Sequence, residues 1–264
     1  MKTARTAMLP VLGFALLILS ACGQPTGSSN SAQQAGSGEK PDFSGTWDRY
    51  PDNWAGPDPD HPSPPGGPFP LKEPYAAQYA ALLAKSRAAD AAGTPLATPT
   101  TRCLPEGMPD IMSARYPIEI MQNSRRFVVL AELLSQTRRV YIGEKMPPLD
   151  DIEPSFNGYS VAHWEGDTLV VDTVRVRPDV LFFNVPHSIN MKITERIRLT
   201  APDMLENKIV IEDPEYLKTP YRFTFQYKRK DDYKIMEFIC ENNQTKVDAE
   251  GKSSLILDAD QNKR

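Results

Sequence analysis

Beyond residue 103 the chain alternates. Apolar and polar side chains change places every second residue along 118–122, 126–134, 138–142, 159–164, 168–176, 190–200, 207–212, 221–228 and 233–241. A period of two sends successive side chains to opposite faces of a strand. Turn-forming residues separate the runs: Asn123-Ser124, Glu165-Gly166-Asp167, Pro202-Asp203 and Lys230-Asp231-Asp232. Such short connections join antiparallel neighbours. Together they predict an all-β, mainly antiparallel body, folded as a barrel or a strongly curved sheet.

The chain ahead of it is built differently. Residues 43–47 read as a short first strand. Residues 51–74 carry nine prolines, which excludes a helix or a central strand and predicts an extended arm over the body. Pro74 suits the first turn of a helix, 75–92 is rich in Ala, and Gly93 stops it. Tyr75, Tyr79, Leu82 and Leu83 give this helix a thin apolar stripe, so it is expected to pack across one face or end of the body. The plan is an arm with one packed helix over 41–102, a β-body over 103–243 and a polar tail over 244–264.

The first residues read as an address. Lys2 and Arg5 precede a short apolar run, 7–19, broken by Pro10 and Gly13. That is a secretory signal, too short for a stable transmembrane span. It ends in Leu19-Ser20-Ala21-Cys22, which resembles a bacterial lipobox. The expectation is a signal peptide over 1–21 and acylation of Cys22, which anchors the chain to a membrane. Gly23, where an Asp would signal inner-membrane retention, resembles the pattern of outer-membrane lipoproteins facing the periplasm. Residues 22–40 are mostly Ser, Gln, Gly and Ala, a flexible tether.

Charge and composition narrow the function. A formal net charge of −4 argues against a nucleic-acid binder, which needs cations to displace counterions from phosphate. Three Cys and three His are too few for a zinc cluster, and Glu212-Asp213 is a weak cation signal, so no metal is expected. No phosphate loop, serine elbow or His-Glu-x-x-His motif is present, and no cofactor is expected. With Cys22 acylated, Cys103 and Cys240 remain. In an oxidising compartment they pair, or they stay as buried free thiols.

Alternation also sorts the faces. Glu195 falls among Met191, Ile193, Ile197 and Leu199; Arg138 falls with Val140 and Ile142. Glu237 shares a face with Ile235 and Ile239, Glu132 with Val128 and Leu130, and Asp172 with Val170 and Val174. A carboxylate on an apolar face is costly unless paired or protonated, and burial raises its pKa. These groups form either a structural ion-pair network or a site. His187, stiffened by Pro186 and followed by Ser188, is a candidate general base. His163, His61, Arg139 and the run Lys228-Arg229-Lys230 read as ordinary surface.

Several blocks carry a resemblance: Pro41-Asp42-Phe43-Ser44-Gly45-Thr46-Trp47, Arg102-Cys103-Leu104-Pro105-Glu106-Gly107-Met108-Pro109, Trp164-Glu165-Gly166-Asp167-Thr168-Leu169-Val170-Val171-Asp172-Thr173, Pro186-His187-Ser188, Ile211-Glu212-Asp213-Pro214 and Cys240-Glu241-Asn242. Over 41–243 the chain resembles a widespread family of secreted or lipid-anchored proteins of environmental Gram-negative bacteria. The resemblance implies a single domain and a Cys103–Cys240 disulfide, and no particular activity. It breaks at Gly143-Glu144-Lys145-Met146-Pro147, where the family pattern carries a His before the Pro. The opening Gly45-Thr46-Trp47 also resembles the first strand of lipocalins.

Three readings follow. The leading one is a periplasm-facing lipoprotein that binds a small, mostly apolar molecule, aromatic or terpenoid-like. Tyr221, Phe223, Phe225 and Tyr227 would form the wall, and Arg138, Glu195, Glu237 and His187 the polar anchors. The second is a cofactor-independent lyase, isomerase or hydrolase with His187 as base, Glu195 or Glu237 as acid and Arg138 or Arg196 stabilising an oxyanion. The third is a structural or assembly lipoprotein of the outer membrane.

Overall fold

The computed structural model describes residues 40–51, 68–240 and 245–255; the signal, tether and most of the Pro-rich arm, with His61 and Cys22, lie outside them. Nine strands form one closed barrel in chain order. They are β1 (Gly45–Tyr50), β2 (Ile118–Gln122), β3 (Arg126–Ala131), β4 (Gln136–Ile142), β5 (Tyr159–Glu165), β6 (Thr168–Val174), β7 (Lys192–Ala201), β8 (Met204–Glu212) and β9 (Tyr221–Arg229). The all-β expectation therefore holds, and the strand runs match except at the last. Strand β1, from the segment assigned to the arm, belongs to the barrel wall. It pairs with β2 on one side and with β9 on the other.

Neighbours are antiparallel throughout except for β4 and β5, which run parallel over Val140↔Ser160, Tyr141↔Val161 and Ile142↔Ala162. The short-connection argument misses this pair because residues 143–158 cross the length of the barrel before β5 begins. The inward rows are the buried ones: Phe127, Val129 and Ala131 on β3, Ile193, Glu195 and Ile197 on β7, and Phe223, Phe225 and Tyr227 on β9.

Three face assignments need correction. Residues 233–240 form no strand, because β9 is already flanked by β1 and β8 and a closed barrel offers no free edge. They run as an extended strap outside. Glu132 ends β3 rather than sharing its face. It is buried in the turn that follows and holds the strap, accepting from Tyr233 Oη at 2.7 Å and Met236 N at 3.0 Å. Asp172 points outward, 3.1 Å from Lys192 Nζ and 2.7 Å from Thr194 Oγ1. The strap is also tied by the Cys103–Cys240 disulfide, with Cα atoms 5.5 Å apart.

Helix α1 (Tyr75–Ala91) lies at the barrel end where β9 begins. Tyr75 stacks on Tyr216 at 3.7 Å between centroids, and Tyr79 donates to Phe183 O at 3.1 Å. The same end is plugged by a 3-10 turn, Asp110–Ser113, all four residues buried. Tyr227 Oη donates to Met112 O at 2.6 Å and Arg49 Nη1 to Ser113 O at 3.2 Å. Gly107 leads into the plug at φ +71°, where a Cβ would fall 2.4 Å from Phe156 O. The opposite end is closed by Phe43, packed on Phe127 and Trp164. Two short strands, β10 (Thr245–Val247) and β11 (Ser253–Leu255), pair separately. Among the described residues no helix is long and apolar enough to cross a membrane.

Candidate functional site

Five consecutive strands send polar side chains into the barrel: Arg138 from β4, Ser160 from β5, Thr173 from β6, Glu195 from β7 and Asn207 from β8. Arg138 Nη1 donates to Glu195 Oε1 at 3.1 Å, and Nη2 makes a closer contact with Oε2. Asn207 Nδ2 donates to Glu195 Oε1 at 2.8 Å. Arg138 Nη2 also reaches Thr173 Oγ1 at 3.2 Å, which is bonded to Ser160 Oγ at 2.8 Å. The Arg138 and Glu195 side chains are wholly shielded from water. Two-point guanidinium–carboxylate pairing is the strong form of ion pair, and burial makes either partner expensive alone. Both residues face inward as alternation implies, but their Nη and Oε atoms are spent on each other; Arg138 Nε and Asn207 Oδ1 stay buried without a partner. They brace the middle of the barrel, where a bound molecule would have to displace them.

The other polar candidates are brought nowhere near this pair's bonding. His187 is buried in the loop before β7, each ring nitrogen 2.8 Å from a backbone carbonyl: Nδ1 from Ser188 O and Nε2 from Val180 O. Both ring nitrogens are turned to backbone carbonyls rather than to open space, so the geometry is that of a loop clamp. Ser188 anchors the same loop to Asp213 through its N–H at 2.6 Å and its hydroxyl at 3.0 Å. Glu237 is exposed on the outer strap, so the inward placement read from its neighbours fails with the strand itself. Arg196 faces outward, paired with Glu165 at 2.8 Å.

The aromatic row of β9 is where sequence and structure converge. Tyr221 and Phe223 meet side chains the strand pattern does not reveal: Phe69 from the chain ahead of α1, and Phe182 from the loop that carries His187. Ring centroids are 4.3 Å apart for Phe69–Tyr221, 5.2 Å for Phe182–Phe223 and 6.1 Å for Phe69–Tyr79. The aromatic lining thus runs from α1 across the barrel mouth to Phe225, whose ring carries the Arg49 guanidinium at 4.0 Å. Tyr221 Oη is buried and has no hydrogen-bond partner. Burial, with Tyr79 alongside, pushes its pKa up to about 12, so the phenol keeps its proton.

Phe69 stands between two spaces. Inside, with Phe182, His187 and Tyr221, it lines a cavity of about 20 Å³, room for roughly one water. Outside, with Tyr79, Leu83 and Phe183, it lines an open groove of about 540 Å³ along α1.

Sequence reasoning missed two acids. Glu106 and Asp110 are both buried on the plug and share one half-exposed cation: Arg115 Nε is 3.4 Å from Glu106 Oε1, and its Nη2 is 3.0 Å from Asp110 Oδ2. Burial, then the charge of Asp110, raises Glu106 to about 7 against the pull of Arg115. Burial likewise raises Asp110. Arg115 also lies 5.9 Å from the centre of the Phe183 ring, on the wall of the outer groove. The available signal was two acids four residues apart, each directly after a proline (Pro105 and Pro109), ahead of the apolar Ile111, Met112 and Ala114. Among the described residues no three His, Cys, Asp or Glu groups are placed to hold a metal ion.

No protein-family model matches the chain, and a search of curated proteins finds no match.

Proposed function

We propose that the barrel binds a small, mostly apolar molecule at its aromatic end, between α1 and the mouth formed by β9. The observation that carries this reading is the Tyr221 phenol: a buried donor with no partner, set in a continuous aromatic lining. Buried hydroxyls are normally satisfied, and ligand pockets combine apolar walls with a few polar anchors. A ligand that displaced the Phe69 ring would join the inner cavity to the outer groove and offer Tyr221 an acceptor. The anchors proposed from sequence change accordingly: Tyr221 replaces Arg138, Glu195, Glu237 and His187. The N-terminal pattern supports delivery of this barrel to the periplasmic side of the outer membrane through a lipid on Cys22.

The test is native mass spectrometry of gently purified protein, looking for a co-purified small molecule. Tyr221→Phe should weaken retention of that molecule about five- to twentyfold, the value of one buried hydrogen bond. Phe69→Ala should change its uptake. Unchanged retention in both variants would remove the aromatic end as the site.

A second reading rests on Glu106 and Asp110. Two buried acids with raised pKa values beside a ligand groove are the furniture of acid–base catalysis. On that reading Glu106 exchanges the proton, and Arg115 balances the charge of Asp110. Turnover that follows a group titrating near 7 and disappears in Glu106→Gln supports it. Binding without turnover leaves the first reading alone.

A further inference from the structure

The parallel pair opens a seam in the barrel wall. β4 and β5 pair at only three positions, and residues 136–139 of β4 have no strand beside them on that side. Residues 155–158 stand there instead, fastened by Asn157 Nδ2 to Thr137 O at 3.2 Å. The mismatch leaves an outward groove of about 450 Å³, lined by Thr137, Arg139, Tyr141, Phe156, Asn157 and Tyr159 among others. That volume is within the range of small-molecule sites.

Charge on the rest of the outer wall is largely spent. Lys192 pairs with Asp172, Arg196 with Glu165, Arg198 and Lys208 with Glu206, and Arg126 with Glu144. Arg139 is exposed in the groove, and among the described residues its guanidinium meets no carboxylate, carbonyl or ring. Beside it Tyr141 and Tyr159 stack with centroids 5.1 Å apart and planes 20° apart. Burial, then the nearby Glu144, raises the Tyr159 pKa, so that phenol stays a donor at neutral pH.

We infer that this seam is a second small-molecule site and that it takes a monocyclic carboxylate. The carboxylate sits in the guanidinium fork of Arg139, a planar match that an ammonium cannot make. The ring lies against Tyr159 and Phe156, flat apolar surfaces next to that cation. A wholly apolar ligand would leave Arg139 unanswered, and a polyanion would find no second unpaired cation beside it, because Arg126 and Arg177, which lie over the Tyr141 and Phe156 rings, are already paired with Glu144 and Asp179. The ring is either aromatic or that of a sugar acid, since an arene's π face and a sugar's C–H face both pack on an aromatic side chain and both classes carry a carboxylate. This site is separate from the aromatic end and does not depend on it.

Calorimetric titration of the full-length protein at low salt tests the assignment, with benzoate and glucuronate as probes. Benzyl alcohol and methyl glucoside serve as uncharged counterparts. At least one acid should bind saturably, at least about tenfold tighter than its uncharged counterpart, and the acid that binds identifies the ring. Arg139→Met should weaken that binding about tenfold or more, and Arg139→Lys should recover only part of it. Arg222→Met, at an exposed outward arginine on β9, is the control and should bind as the unaltered protein does. Saturable binding by neither acid, or unchanged binding in Arg139→Met, would overturn the inference.

Discussion

The guanidinium carbon of Arg229 lies 4.3 Å from the centre of the Trp47 ring, and the two residues are register partners across the β1–β9 pairing that closes the barrel. Arg229 also ties down both flanking segments, donating from Nη1 to Ser44 O at 2.8 Å and from Nε to Pro202 O at 3.3 Å. Gly45 makes room for it: a Cβ there would fall 2.5 Å from Nη1, at a φ of +131° that favours glycine. Arg229→Ala should cost about 1–2 kcal/mol, the sum of a cation–π contact and its carbonyl bonds. Arg229→Lys should restore part of that, and Gly45→Ala should also destabilise. Urea unfolding followed by tryptophan fluorescence measures all three, and unmoved midpoints would mean that closure rests on the backbone ladder alone.

The Arg138–Glu195 brace predicts an asymmetry. Glu195→Ala should cost about 3–5 kcal/mol, because it strands a buried guanidinium. Replacing both partners with apolar residues of similar volume should cost much less. A double variant as unstable as the single one, by denaturant midpoint, would show that the hydroxyl and amide partners of the pair matter more than its charges.

Glu106 makes stability fall with rising pH. Its carboxyl is raised from 4.5 to about 7 in the folded protein, by burial first and by Asp110 second. Between those values the native state holds a proton that the unfolded chain has lost, so each step upward favours unfolding. The loss from this group is complete somewhat above pH 7 and is on the order of 3 kcal/mol. The raised Asp110 acts in the same direction. Denaturant midpoints at about pH 5, 6, 7 and 8 should therefore decline. Glu106→Gln should flatten much of that decline; an identical decline in the variant would assign it to other groups.

The strands were legible because this barrel buries one face of each. Ile193, Glu195 and Ile197 announce their common side whatever their neighbours are. The same rule fails where burial comes from outside the sheet. Residues 233–240 alternate as a strand does, yet they are held by Glu132, Ser135 and a disulfide rather than by a ladder. Val170 is buried on the outward row of β6, which gives Asp172 the look of an inward residue.

The candidate site was legible by halves. The β9 aromatics could be read from strand spacing. Phe69 and Phe182 could not, because irregular chain far from β9 in sequence brings them there. The pairing partner of Arg138 was equally hidden: its face follows from local alternation, but its distance to Glu195 depends on the registers of three strand pairings. His187 shows the limit of motif reading. A histidine held by proline and serine looks poised until both of its nitrogens are found facing carbonyls.

A ring with an odd number of members cannot alternate two directions all the way round. Nine strands therefore force at least one like-directed pair, and this protein places it in the wall, at β4 and β5, rather than at the closure. The first and last strands are left free to run in opposite senses. The chain thus enters the barrel at Gly45 beside the point where it leaves at Arg229, with Trp47 opposite Arg229. Entry and exit share one rim, and the Tyr221 mouth occupies the other. Lys40 lies at the entry rim, over Trp164, and it is the placing of the like-directed pair inside the wall that sets the Tyr221 mouth at the opposite rim.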